Sequence, residues 1–297
     1  MLSLSAPLEP KEAYNFKDRT ILVIHMTDPT HEQGLAWQVG VLDRMADTYQ
    51  REIDLRFEPV VDQLLSYARL IEGEDVLDLG TGTGAVALSA IQQVGPGGSV
   101  TAIDISPEML AIAKSRAEAA DVSTIEFREG SSEAIPVENE SHDVVLSSLV
   151  LMYVIDRETA AKEIARVLRP RGRAIVVVWA GAEGADIVKF QQTAGRYAPK
   201  PPVDGVGPGA LADVSPFVRQ LSAAGLGVDV KTAYTEFTFP SFDVAWDSLA
   251  AVTTANLDDA DRKEAQTAVR ELMWSHGDSN PRSFRNKIQL ILATKSV

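Results

Sequence analysis

The chain has no cysteine among its 297 residues. Disulfide frameworks, thiolate zinc sites, iron–sulfur clusters and cysteine nucleophiles are therefore excluded. Histidine is scarce, with four residues, and cations are outnumbered: 28 Lys plus Arg stand against 42 Asp plus Glu, a formal charge of −14. A chain so short of cations is poorly suited to tracking a nucleic-acid backbone, which is held by neutralising many phosphates, so no nucleic-acid partner is expected. Long apolar runs are missing too. The longest nearly uncharged stretch, Val144 to Ile155, reaches only about two-thirds of the ~18 residues of a membrane span, so no integral membrane contact is expected. The first residues lack the basic start and apolar core of a secretory signal, since Lys11 follows Pro7 and Pro10; a cytoplasmic location is expected.

What is present is the composition of an ordinary globular protein, 45% apolar and 24% charged, with the length of one large domain or about two. Val60, Val61, Leu64, Leu65, Ala68 and Leu70 recur at helical spacing and predict an amphipathic helix ending at the Glu72-Gly73 turn. Asp75 to Leu79 then reads as a short strand, Gly80-Thr-Gly-Thr-Gly84 as a turn, and Ala85 to Ile91 as a helix closed by Gly95-Pro-Gly-Gly98. A second strand, Ser99 to Ile103, reaches Asp104, and Ser106-Pro-Glu-Met reads as a helix N-cap with Pro at the first helical position. Strands at Thr124 to Arg128, Asp143 to Ser147 and Ala174 to Trp179, with a helix from Glu158 to Leu168, continue the alternation. The pattern predicts an α/β fold with a parallel sheet covered by helices on both faces.

Beyond Trp179, the Pro- and Gly-rich Ala198 to Gly209 reads as a loop over the core. A helix from Phe217 to Ala224, a strand from Val228 to Phe239, helices over Val244 to Thr254 and Asp258 to Trp274, and a last strand from Lys287 to Thr294 follow. At the other end, Thr20 to Ile24 is a candidate strand and Leu35 to Arg51 a candidate helix.

The chemistry concentrates at Gly80 to Gly84. A glycine turn at the end of a first parallel strand brings bare backbone against a ligand, and the helix behind it offers unpaired N–H groups. Asp104, ending the second strand, can accept both hydroxyls of a ribose. Gly80, Gly82 and Ala85 also satisfy a dinucleotide fingerprint, so the glycines alone leave a nicotinamide oxidoreductase open. Asp78 discriminates: a carboxylate two residues before the first glycine is ill placed for a pyrophosphate and well placed for the ammonium of an amino acid.

The combination D-x-G-x-G-x-G, with an Asp closing the second strand, resembles the class I S-adenosylmethionine-dependent methyltransferases. Leu42-Asp-Arg-Met-Ala-Asp-Thr-Tyr49, Ala134-Ile-Pro136, Asp143-Val-Val and Glu163-Ile-Ala-Arg-Val-Leu-Arg-Pro-Arg-Gly172 are similar to the branch containing the ubiquinone and menaquinone methyltransferases and many natural-product enzymes. The resemblance is strong from Tyr49 to Trp179. It implies a Rossmann-like, doubly wound, mainly parallel seven-stranded sheet with a C-terminal antiparallel strand and a helical cap. It implies S-adenosyl-L-methionine as cofactor, with Asp78, Gly80, Thr81 and Gly82 at its methionine end, Asp104 at the ribose, and Ile105 and Met109 near the adenine. Gly130, Ser131 and Ser132 would hold the adenine edge, Ser147 would line the pocket near the sulfur, and Tyr49 would come from an N-terminal cover. Two departures stand out: Ser131 replaces a frequent Asp, and Met152-Tyr153 replaces a frequent histidine pair, leaving any inherited general base in doubt.

For that base, Tyr153, His25 and His31 are the candidates, the histidines because their segment would fold over the pocket. Solvated or core positions are the competing reading for each. His142, at the start of the fourth strand, is expected to be structural, and His276, in the C-terminal cap, is a further candidate base. No metal site is expected. Residues 1–55 are expected to form the cover and 56–297 the methyltransferase domain, with cap insertions near 181–209 and 241–281. Phe190, Tyr197, Phe242, Trp246 and Trp274 in those insertions, with Phe239 just before the second, suggest an apolar or aromatic small-molecule acceptor, methylated on O, N or C in a biosynthetic step. The Asn/Asp-Pro-Pro-aromatic signature of nucleic-acid amino methylation is absent where Ser147-Ser-Leu-Val stands, which favours a small molecule. A monomer or homodimer is expected. The competing readings are the nicotinamide oxidoreductase and a protein that uses the cofactor as a scaffold for methyl-free chemistry.

Overall fold

The computed structural model describes residues 29–251 and 253–297. The candidate strand Thr20 to Ile24 and the candidate base His25 lie outside the described residues.

Five strands, β1 (Asp75–Leu79), β2 (Ser99–Asp104), β3 (Ile125–Glu129), β4 (His142–Ser148) and β5 (Leu168–Trp179), run parallel. With β6 (Leu226–Phe239) and β7 (Arg282–Lys295) they form a seven-stranded sheet in the order β3-β2-β1-β4-β5-β7-β6. β7 is antiparallel to both its neighbours, so it alone opposes the common direction. Val76, Leu77 and Leu79 in β1, Val144 to Leu146 in β4 and Ala174 to Val178 in β5 are buried. Strands covered on both faces carry such unbroken apolar runs, which is why they were legible as strands without any alternation. The strand order reverses between β1 and β4, and in open α/β sheets the carboxyl ends of the strands at such a switch point are where a ligand crevice forms.

The helices follow the same logic. Ser106 caps α4 (Pro107–Ala119) by accepting the Met109 amide at 3.2 Å, with Pro107 at the first turn, as the sequence predicts. Asp156 caps α5 (Arg157–Val167) through the Thr159 amide. The N-terminal helix is longer than expected. α1 (Pro29–Thr48) passes through one π turn, Tyr49–Ile53, into α2 (Asp54–Ala68), so the helical run crosses residue 55 without a break. In the π turn the Asp54 amide reaches the Tyr49 carbonyl. One extra residue per turn rotates α1 relative to α2, so that α2 packs on β4, β5 and β6 while α1 lies against α4.

The C-terminal half adds α6 (Asp186–Gly195), α7 (Ser215–Ala223), α8 (Phe242–Leu249) and α9 (Asp259–Met273), α3 being Ala85–Val94 behind the glycine turn. α6 has no counterpart in the sequence reading. The aromatic residues expected to line an acceptor pocket instead fill each other's space. Phe190 packs on Phe242, Trp246 and Phe284, with ring centroids 6.4, 6.4 and 5.9 Å away, Trp274 on Phe242 and Phe284, and Phe239 on Phe237 and Phe284. Phe190, Phe239, Phe242, Trp246 and Trp274 are all buried, so this cluster is the core that joins the cap to the β6–β7 ribbon. Tyr197 is half-buried against the hydrophobic core.

Candidate functional site

The turn after β1 is built from residues that can enter the left-handed region: Gly80, Gly82 and Gly84 have φ of +77°, +54° and +88°. Side chains at two of the three would collide. A Cβ at Gly80 would lie 2.3 Å from Val150 Cγ2, and one at Gly84 would press on Ala113 of α4 at 3.1 Å. At Gly82 a Cβ would meet nothing within 4 Å, so the backbone there faces open space. The Gly80 and Thr81 amides both donate to the Ile103 carbonyl at 2.8 Å, tying the turn to the end of β2.

Two buried carboxylates flank the turn. Asp104 accepts the Gly82 amide on Oδ2 at 2.8 Å and the Ser106 amide on Oδ1 at 2.9 Å. Each oxygen keeps a second lone pair, so ribose hydroxyls can still be accepted. Asp78 accepts the Thr81 hydroxyl on Oδ2 at 2.6 Å, while its Oδ1 is buried without a hydrogen-bond partner. The Ala87 amide leans toward the carboxylate and favours its charged form, but makes no regular hydrogen bond to Oδ1. Burial, and secondarily the Asp104 charge, push the Asp78 pKa up to about 7. Burial likewise raises Asp104, against the amides that favour its charge. An unpaired oxygen on a buried acid calls for a cation, and the ammonium of an amino-acid moiety meets that need.

The other expected contacts surround this pair. Ser147, fully buried in β4, donates to the Leu79 carbonyl at 3.0 Å and stitches β4 to β1 beneath the crevice. Ile105 is partly exposed beyond Asp104, and Met109 is buried one turn into α4. Gly130 donates to the Asp104 carbonyl at 3.0 Å and packs so closely on Pro136 that a Cβ would lie 2.6 Å from Cδ. Ser131 turns its hydroxyl back onto the Glu133 amide at 3.1 Å, so it is engaged in shaping the loop; Ser132 is buried.

Tyr49 leaves the π turn with its ring edge-on to Phe57 at 6.1 Å, and Phe57 packs on Trp179 and Phe237. Burial raises the Tyr49 pKa, and Asp54, Tyr153 and Asp104 lie close enough to add to the shift. Tyr153 keeps 38% of its surface exposed, yet its phenol is set deeply enough among protein atoms that burial raises its pKa to about 12. Both phenols hold their protons at neutral pH and can donate hydrogen bonds. His31, on α1, pairs its Nε2 with Glu133 Oε2 at 2.7 Å. Glu133 Oε1 in turn accepts the Ile155 and Asp156 amides. His142, at the opposite edge of the sheet, lies between Ser141 and Thr101, and burial lowers its pKa to about 4.

Sequence reasoning missed Gln38, Asp43, Asp54, Arg116 and Glu133. Gln38 donates to the Tyr153 carbonyl at 2.7 Å, Asp43 accepts the Ser106 hydroxyl at 2.6 Å, and Asp54 accepts the Thr83 hydroxyl at 2.6 Å. No spacing in the chain connects these partners. The site is rich in acids: Asp43, Asp54, Asp78 and Asp104 border it, and its one cation among the polar contacts described, Arg116, is bound to Asp54. A pyrophosphate would be repelled there, whereas a sulfonium with an ammonium would be attracted.

Residues 77–176, from β1 to β5, match the family model described as methyltransferase domain. An uncharacterized protein of Mycobacterium tuberculosis, Rv1405c, is 30% identical over 209 residues, which are 70% of this chain and 71% of that protein. The chain belongs to the class I S-adenosylmethionine-dependent methyltransferases. A nocamycin O-methyltransferase of Saccharothrix syringae is 37% identical to this methyltransferase-family chain over 135 residues, 45% of this chain and 48% of that enzyme. The chain spans less than half the length of the first three curated relatives it matches. The YcgJ protein of Bacillus subtilis shares this fold at a TM-score of 0.58 and 20% identity, over 80% of this chain and 98% of its own. The described residues contain no group of three or more His, Cys, Asp or Glu able to hold a metal ion, and no helix long and apolar enough to cross a membrane.

Proposed function

We propose that this chain transfers the methyl group of S-adenosylmethionine to an O, N or C nucleophile of a small apolar or aromatic metabolite. The observation that carries this reading is the unpartnered, buried Oδ1 of Asp78 beneath a glycine turn whose middle residue faces open space. Asp78 would pair with the cofactor ammonium, with Gly80, Thr81 and Gly82 along its methionine end. Asp104 would take the ribose hydroxyls, Ile105 and Met109 would flank the adenine, and Gly130 to Ser132 would border its edge. Ser147 would stand near the sulfur and Tyr49 would cover it. Residues up to 55 would form the cover, with parts of 181–209 and 241–281 capping residues 56–297.

The cofactor supplies an electrophilic methyl whose transfer neutralises a sulfonium. The chain has to align the acceptor in line with that bond and keep water away. Tyr49 and Phe57, half-buried and edge-on to each other, form an aromatic pair backed by the buried Trp179 and Phe237, which supports an apolar or aromatic acceptor. Tyr153 and Tyr49 would orient it by donating hydrogen bonds. The test is incubation of the protein with methyl-labelled S-adenosylmethionine and a panel of phenols, quinols and aromatic amines. Label in an acceptor supports methyl transfer; tight binding of the cofactor with no label in any acceptor supports a methyl-free role.

A further inference from the structure

The glycine turn is held from outside by residues that are not themselves proposed ligand contacts. Thr83, between Gly82 and Gly84, is buried, and its hydroxyl donates to Asp54 Oδ2 at 2.6 Å. Arg116, in the last turn of α4, donates from one guanidinium nitrogen to Asp54 Oδ2 at 2.5 Å and to the Thr83 carbonyl at 2.8 Å. It can do so because Gly84 lacks a side chain. Ala113, one helical turn before Arg116, sits where a Cβ on Gly84 would press, and this close approach brings Arg116 onto the turn. Asp54 is the first residue after the π turn, so its position depends on the docked cover. A second tie runs in parallel: Asp43 of α1 accepts the hydroxyl of Ser106, whose amide binds Asp104.

We propose that Asp54 and Arg116 are positioning residues of the cofactor site, acting through Thr83, and that they make cofactor affinity depend on docking of the segment 29–54. The proposal rests on the cofactor reading above. Asp54 and Arg116 fix two polar groups of Thr83, its hydroxyl and its carbonyl, and so set the backbone of the neighbouring Gly82. Without Arg116, Asp54 would add an uncompensated charge to an already acidic site; without Asp54, Arg116 would have no anion to anchor it on the turn.

The experiment is calorimetric titration of S-adenosylhomocysteine into the full chain and into Asp54→Asn, Arg116→Gln, the double variant, Thr83→Val and Thr83→Ser, with melting temperatures recorded without ligand. Asp54→Asn, Arg116→Gln and Thr83→Val should each weaken binding at least ~tenfold, the double variant should be no weaker than the worse single one, and Thr83→Ser should stay within about threefold of the parent. In turnover with any accepted substrate the loss should appear in KM for the cofactor, with kcat at saturation retained. Parent-like affinity in Asp54→Asn and Thr83→Val, additive losses in the double variant, or losses that follow the ligand-free melting temperature would each overturn the proposal. If the parent chain itself fails to bind, the cofactor reading fails first.

Discussion

Asp78 carries the sharpest consequence at the level of a single residue. In the ligand-free protein its pKa near 7, raised by burial, means that the carboxyl is largely protonated at pH 6 and largely ionised at pH 8. Only the ionised form pairs with an ammonium. Cofactor affinity should therefore rise with pH from 6 to 8, and binding at pH 6 should release a proton, visible as a dependence of the calorimetric heat on buffer ionisation enthalpy. Asp78→Asn should flatten this profile and weaken binding ~10- to 100-fold. A profile unchanged in Asp78→Asn would remove the residue from the site. The sign for stability is opposite. The folded chain holds this proton more tightly than the unfolded one, so between about pH 4 and 7 the Asp78 contribution falls as pH rises in the absence of ligand.

Among the elements, the helical run from Pro29 to Ala68 does most to complete the site. Its side chains reach the loops of the proposed cofactor site in turn: His31 to Glu133, Gln38 to Tyr153, Asp43 to Ser106 and Asp54 to Thr83. His31 is therefore predicted to act on docking. His31→Ala should weaken S-adenosylhomocysteine severalfold while kcat at saturating cofactor stays within about threefold, whereas loss of a general base would lower kcat by ~100-fold or more.

The same run shows what could be read from the chain alone. The apolar stripe of α2 and the glycine turn were legible because each is local: a helical repeat and a strand–turn–helix sequence declare themselves within a dozen residues. The meetings of Asp54 with Arg116 and of Asp43 with Ser106 join positions about 60 residues apart, and nothing local marks them. The aromatic cluster was misread for a related reason. Phe190, Phe242, Trp274 and Phe284 stand in separate segments, and only the path of β6 and β7 decides that they face one another instead of a ligand. β7 also begins five residues before the expected strand, because its first residues alternate exposed and buried on a ribbon beyond the sheet and lack the dry run that marks the central strands.

At the scale of the whole molecule, two absences frame the chemistry. The charge of −14 extends into the site, where the acids bordering the glycine turn outnumber their one bound cation. Without cysteine, methyl transfer through a covalent thiolate adduct of the protein is impossible, which leaves direct displacement by the acceptor. The sheet order, with its reversal between β1 and β4, places both facts at one crevice. The most direct measurement is a calorimetric titration of the full chain with S-adenosylhomocysteine and, separately, with NAD and NADP, repeated on Gly82→Leu. That substitution directs a side chain into the open space above the turn and strains one left-handed residue by ~1–2 kcal/mol, which the fold should survive. The account predicts one-to-one binding of S-adenosylhomocysteine, none of either dinucleotide, and loss of binding in a folded Gly82→Leu. Binding of a dinucleotide in its place, or undiminished affinity in Gly82→Leu, would contradict it.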